Sequence, residues 1–153
     1  MKTKVFVFYS LILFLTSCET SSIFNKSVGF SKNQWPKNTT NVFIFEVDDD
    51  TKFYNVTFSL RHVYDYQFDT IPLSFTWIKP DGSQEIIPIK LPVKDKNGKE
   101  LGECAIDICD LNQVILSNIK LPKGKNEIIV SHSFEYPYLP NIIEIGIDVS
   151  SIK

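Results

Sequence analysis

Tyr54-Asn55-Val56-Thr57-Phe58-Ser59-Leu60-Arg61-His62 is the stretch on which the fold turns. Tyr54, Val56, Phe58, Leu60 and His62 fall on one side of an extended chain, with Asn55, Thr57, Ser59 and Arg61 on the other, the period-two pattern of a strand with one buried face. A helix would spread the same apolar residues around its whole circumference, and the β-branched residues would add no support. The stretch therefore reads as a central, half-buried strand.

The rhythm recurs on both sides. Upstream, Phe43, Phe45 and Val47 alternate with Ile44 and Glu46 and stop at Asp48-Asp49-Asp50-Thr51-Lys52, which reads as a solvated hairpin turn. Downstream, Tyr64, Tyr66 and Phe68 prolong the pattern, and Leu73, Phe75 and Trp77 make a further strand closed by Pro80-Asp81-Gly82-Ser83. In that turn proline presets the second position and glycine accepts a positive φ, so the chain returns into Glu85 to Lys90. Pro88 and Pro92 demote this return strand to a sheet edge. Asn97-Gly98 marks a turn in a charged stretch read as mobile, and Asp110-Leu111-Asn112 reads as the start of a short helical turn. Pro122-Lys123-Gly124 precedes a strand carrying Ile128, Val130, His132 and Phe134, and Ile143, Ile145, Ile147 and Val149 form the last. Seven or eight short strands joined by turn chemistry, with no long helix, predict an all-β fold: an antiparallel β-sandwich, Ig-like or jelly-roll-like, over residues 35–153.

Ahead of this domain, Lys2 and Lys4 lead into the apolar run Val5 to Leu15, closed by Leu15-Thr16-Ser17-Cys18. This is the pattern of a secretory signal ending in a lipidation cysteine. Residues 1–17 read as a lipoprotein signal peptide, and Cys18 as the carrier of a covalent lipid, with no other cofactor expected. The run is shorter than the roughly 20 residues that a membrane span needs. Residues 18–34 read as a flexible tether with one weak strand near its end, and Trp35-Pro36 opens the domain with the indole over one end of the core. Cleavage before Cys18 leaves fourteen basic against eighteen acidic residues, a net charge of −4. Such a balance gives no electrostatic reason to seek nucleic acid; the lipid anchor, not charge, holds the chain at the membrane.

Export places Cys104 and Cys109 in an oxidising compartment where a disulfide persists. On a straight strand they would lie about 16 Å apart and face opposite ways, against a limit of about 7 Å between bridged Cα atoms. A bridge requires a turn at Asp107; otherwise the two are small buried core residues, the reading this spacing favours. Asp48-Asp49-Asp50 lacks the glycine bend and downstream glutamate of a calcium loop. His62 and His132 occupy apolar-phase positions without ligand spacing, so no metal site is expected. Ser131-His132-Ser133 places adjacent residues on opposite faces and makes no catalytic set. Trp35, Tyr136 and Tyr138 are the candidate aromatics for a partner or glycan surface, weighed against coverage of the core.

The order of features resembles one family. The lipidation cysteine, Trp35, Phe43-x-Phe45-x-Val47-x-Asp49, Tyr54-Asn55-Val56, Leu60-Arg61, Gly102 with Asp107-Ile108, Pro122-x-Gly124, and Leu139-Pro140-Asn141-Ile142 before Gly146-Ile147-Asp148-Val149 look like the gliding-motility lipoprotein GldH family. Leu101 to Asp110 is poorer in glycine than the family pattern, and Ser131 to Tyr136 lacks its Met-Arg pair. The resemblance implies a non-enzymatic, membrane-anchored accessory of gliding motility and the associated type IX secretion machinery, with envelope proteins of that machinery as partners. A second reading is a membrane-anchored β-sandwich module that binds glycan through exposed aromatics. Glu19 in place of an aspartate after Cys18, with no acidic cluster following, points to the periplasmic face of the outer membrane. The lipid assignment is checked directly: wild-type chain takes up an acyl label, and Cys18→Ala is expected to take up none and to leave the membrane fraction.

Overall fold

The computed structural model describes residues 21–152, so the signal peptide 1–17 and Cys18 lie outside the described residues. In chain order the strands are β1 (Ser21–Gly29), β2 (Gln34–Pro36), β3 (Asn41–Val47), β4 (Phe53–Val63), β5 (Thr70–Ile78), β6 (Gln84–Pro92), β7 (Glu103–Ala105), β8 (Ile108–Ile119), β9 (Gly124–His132), β10 (Tyr138–Pro140) and β11 (Ile142–Ile152). A single 3₁₀ turn, Ser31–Asn33, follows β1. Eleven strands stand where seven or eight were expected. The excess is β1 and the three-residue strands β2, β7 and β10, which are too short to show a period.

Two antiparallel sheets form the sandwich. One has the order β1-β11-β4-β8-β7 and the other β3-β9-β5-β6, with β10-β2 as a small third pair. The alternating stretch is the middle strand of its sheet: β4 pairs with β11 on one side and β8 on the other. Tyr54, Val56, Phe58, Leu60 and His62 are all buried, as the period-two reading requires. The first four face Phe43, Phe45, Leu73, Phe75, Ile128 and Val130 of the opposite sheet in one core. Phe58 and Phe75 meet edge to face across the two layers, ring centroids 5.2 Å apart. β6 is the outer strand of its sheet, where Pro88 and Pro92 cost no ladder bond on the free side. Gly82 takes φ +81 in the β5–β6 hairpin.

The tether is largely replaced by structure. Ser21 to Gly29 runs antiparallel to β11, Ser21 opposite Ser151 and Gly29 opposite Glu144. Its side chains are mostly exposed because it is an outer strand, so backbone pairing, which leaves no periodic trace in the sequence, holds it. Asp48 to Lys52 is not a hairpin: it carries the chain from β3 in one sheet to β4 in the other. Tyr64 to Asp69 leaves the strand pattern after Val63, with Asp65 at φ +57 and Tyr66 fully buried. Asp110-Leu111-Asn112 is strand within β8, its pairing with β4 overriding local turn preference. In the charged stretch, Lys94 bridges to Glu100, and the Asp95 carboxylate accepts N–H bonds from Asn97 (2.7 Å) and Lys99 (2.9 Å).

Phe58→Ala is expected to lower the unfolding free energy by about 3–5 kcal/mol in urea titration, because the cavity opens between the sheets. Ile86→Ala, on a side chain 68 % exposed, is expected to stay within about 0.5 kcal/mol of wild type.

Candidate functional site

Strand directions give the sandwich two unlike ends. Ser21, the Asp48–Lys52 crossing, the β5–β6 turn and Ile152 share one end, as the pairings Ser21 with Ser151 and Phe53 with Ile152 show. The other end holds the Tyr64–Asp69 loop, the Val93–Leu101 loop, the β7–β8 hairpin and the loop from Ser133 to Pro137. Among the described residues, six of the eleven exposed large apolar side chains lie at this second end: Tyr64, Leu101, Ile106, Ile108, Tyr136 and Tyr138.

Part of this end is an aromatic groove of about 240 Å³ lined by Phe68, Phe134, Tyr136, Pro137, Tyr138 and Pro140. The rings run in contact from the interior outward: Tyr66 to Phe68 at 5.8 Å, Phe68 to Phe134 at 5.0 Å, Phe134 to Tyr136 at 5.5 Å. Tyr136 is 64 % and Tyr138 39 % exposed. Trp35 is not part of this surface. It is fully buried, stacked on Phe30 at 5.5 Å and met edge-on by His132 at 4.9 Å, so the expectation that it caps the core holds and its candidacy as a contact aromatic does not.

His132 is a positioning residue for that cap. Its Nδ1 accepts the Phe134 N–H (3.2 Å), so the neutral ring carries its proton on Nε2, which donates to the Trp35 carbonyl (3.2 Å). Burial holds its pKa below the ordinary histidine value. Among Ser131, His132 and Ser133 no catalytic contact exists, since both ring nitrogens are engaged with backbone and the Ser131 hydroxyl donates to the Ser74 carbonyl. Asp49 is likewise turned on its own loop, its carboxylate held below the usual range by hydrogen bonds from the Thr51 hydroxyl and N–H.

Cys104 and Cys109 form a disulfide. The spacing argument favoured two unbridged core residues because it assumed a continuous strand; the chain instead turns at Ile106-Asp107, and the two cysteines are opposed across β7 and β8 with Cα atoms 4.0 Å apart. Cys109 is buried while Cys104 is exposed. Ile106, at the tip, has φ +59 and is 93 % exposed, an uncommon place for a β-branched residue. Gly102 makes the approach to the hairpin possible, because a Cβ there would sit 2.8 Å from the Asp110 carbonyl oxygen.

His62 and His132 do not converge. His62 faces Cys109 across the β4–β8 ladder, and Glu100 reaches in from the preceding loop. Glu100 lies in no periodic stretch, and nothing in the sequence singles it out.

The molecule is thus an all-β antiparallel sandwich with an apolar rim at the end away from its first residues. Its family follows from sequence: the chain belongs to the GldH lipoprotein family, whose model matches residues 22–149. That family is one of lipoproteins associated with gliding motility, lipid-anchored in the cell envelope, and is not known as an enzyme family. No curated protein matches. Among solved structures, the chain is similar to TmCBM61 in complex with β-1,4-galactotriose, at 13 % identity and a TM-score of 0.37, covering 88 % of this chain and 86 % of that one. It is also similar to dimeric latent PorU from Porphyromonas gingivalis, at 8 % identity and a TM-score of 0.35, covering 90 % of this chain and 14 % of that one.

The His132 arrangement predicts a pH dependence. Its folded pKa lies below the unfolded value, so its contribution is whole above about pH 6.5 and is lost as pH falls toward the folded value, where an Nδ1 proton would face the Phe134 N–H. Unfolding titrations between pH 7.5 and 5 are expected to show this loss in wild type and a shallower one in His132→Gln.

Proposed function

We propose that this chain is an envelope lipoprotein, held by acyl chains on Cys18 at the periplasmic face of the outer membrane, that serves gliding motility and its type IX secretion machinery by docking a partner protein, without catalysis of its own. The observation that carries this reading is the gathering of exposed apolar side chains at one end of the sandwich. Apolar rims of this kind mark interaction sites. The link from Cys18 to Ser21 spans at most roughly 10 Å, so β1 begins beside the lipid. Its nine residues then carry the chain about 30 Å, so the rim lies at the far end of that strand from the lipid. A partner would meet it there.

The exposed Tyr136 and Tyr138 rings favour a second reading, stacking on a sugar. The groove they line with Phe68, Phe134 and two prolines has no amide or carboxylate side chain to orient sugar hydroxyls, which weighs toward a protein segment.

Deleting the gene is expected to impair colony spreading or the release of secreted proteins, and unchanged behaviour in both rejects the role. Full-length chains carrying Tyr136→Ala or Ile106→Asp are expected to remain acylated and folded, to lose the crosslinked envelope partner that wild type retains, and to fail to restore the deletion strain. A glycan-array signal that vanishes in Tyr136→Ala while the crosslink persists selects the sugar reading instead.

A further inference from the structure

Beneath the β7–β8 hairpin lies a buried polar cluster that neither the docking rim nor the sandwich core uses. His62 is 0 % exposed, and its Nδ1 lies 2.9 Å from the Val63 carbonyl oxygen. A carbonyl only accepts, so Nδ1 carries the proton and the Nε2 of the neutral ring presents its lone pair. The Glu100 side chain is 8 % exposed and its Oε1 accepts the Tyr66 N–H at 2.9 Å. Its Oε2 faces His62 Nε2 at 4.0 Å, and neither atom has a hydrogen-bond partner. With the ring neutral and the carboxylate ionised, two acceptors face each other in a buried site, an arrangement that a shared proton or a metal ion relieves.

The third member is Cys109. It is fully buried, stands directly opposite His62 in the ladder, and its sulfur lies with His62 and Glu100 ligand atoms in a cluster no wider than 4.8 Å. In the disulfide this sulfur is committed to Cys104. We propose that the Cys104–Cys109 disulfide is the closed form of a zinc site: once it is reduced, the Cys109 thiolate, His62 Nε2 and Glu100 Oε2 bind Zn²⁺, with water in the fourth position.

The chemistry balances. A dithiol reductant attacks the exposed Cys104 sulfur, the S–S bond breaks, and Cys109 leaves as a thiolate on the inner side; the second reductant thiol then resolves the mixed disulfide, freeing Cys104 and leaving the reductant oxidised. The thiolate, one carboxylate and a neutral imidazole around Zn²⁺ sum to zero charge, so the buried site carries no net ion once filled. The supporting contacts are already made: the Val63 carbonyl fixes the imidazole tautomer and the Tyr66 N–H orients the carboxylate. A depression of about 280 Å³ lined by Tyr64, Asp65, Lys99, Glu100, Gly102 and Cys104 gives both reductant and metal a way in.

The test uses the full-length chain in detergent, titrated with Zn²⁺ against a chromophoric chelator and, separately, with Co²⁺ to read thiolate-to-metal absorption in the near ultraviolet. Oxidised wild type is expected to show no such absorption; phosphine-reduced wild type and unreduced Cys104→Ser are expected to take up one equivalent with it. Cys109→Ser abolishes the band in every condition, and Glu100→Gln, close to isosteric, weakens Zn²⁺ affinity at least tenfold. The proposal is overturned if reduced wild type shows no thiolate band, or if Cys109→Ser binds Zn²⁺ as tightly as reduced wild type. Reduced wild type carries no substitution, so its result stands even where a variant fails to fold.

Discussion

Phe58 of β4 and Phe75 of β5 meet edge to face between the two sheets, and the rest of the molecule is arranged around that contact. Neither sheet is stable by itself, because each has one face too apolar to leave in water. Burying Phe58 with Val56 and Leu60 against Phe75, Leu73 and Val130 removes both faces at once, at about 1.5–3 kcal/mol for each large side chain. The alternation of β4 is what makes this possible: slipping by one residue would turn Asn55, Thr57, Ser59 and Arg61 into the core. Arg61 instead stays outside, where its guanidinium donates two hydrogen bonds to Asp110 on β8, the residue paired with it.

A sandwich leaves edges, and the outer parts of these sheets are secured in different ways. β6 carries two prolines, and the short β7 is stapled to β8 by the disulfide. β11 would be the outermost strand of its sheet were it not covered by β1, whose backbone pairs with it from Ser21 to Gly29. Gly146 of β11 allows this close approach, since a Cβ there would meet the Ser59 hydroxyl at 2.5 Å and the Lys26 carbonyl at 3.1 Å. The strand that begins three residues after Cys18 is therefore zipped into the sheet, not hung from it. It joins β4, the centre of the fold, through the hydrogen-bonded ladders of β11.

What the sequence revealed and what it hid divide along physical lines. Strands with one face in the core, β3, β4, β5, β9 and β11, show in the period of their apolar residues, and the β5–β6 turn shows in Pro80-Asp81-Gly82, because these features are local. β1 shows in the sequence only as one weak strand near the end of a tether, because an outer strand is held by backbone bonds that place little demand on side-chain order. The Asp48–Lys52 turn was legible as a turn but not as a crossing between sheets, since its residues are the same in either case. The disulfide turned on whether β7 and β8 were one strand or two, and Ile106, a β-branched residue at positive φ, gives no turn signal. Trp35 was rightly placed at the end of the core and wrongly offered to a partner; Pro36 fixes its backbone but says nothing about the Phe30 and His132 rings that enclose it. Glu100 meets His62 only through the fold.

The apolar rim and the polar cluster share the same supporting contacts. Ile106, the most exposed large apolar side chain among the described residues, sits midway between the two bridged cysteines, and the same bridge ends at Cys109 beside His62. Tyr64 donates its N–H to the Asp107 carbonyl (2.8 Å), and Tyr66, two residues on, donates to Glu100. The hairpin tip, the Tyr64–Asp69 loop and the Glu100 loop are thus tied by two hydrogen bonds, each within two residues of a member of the His62–Glu100–Cys109 cluster. Phe68 at the end of that loop packs on Phe134, which leads to Tyr136. Cys109 is thus joined to the apolar rim along two chains of contacts, through the hairpin to Ile106 and through the Tyr66 loop to the aromatic groove.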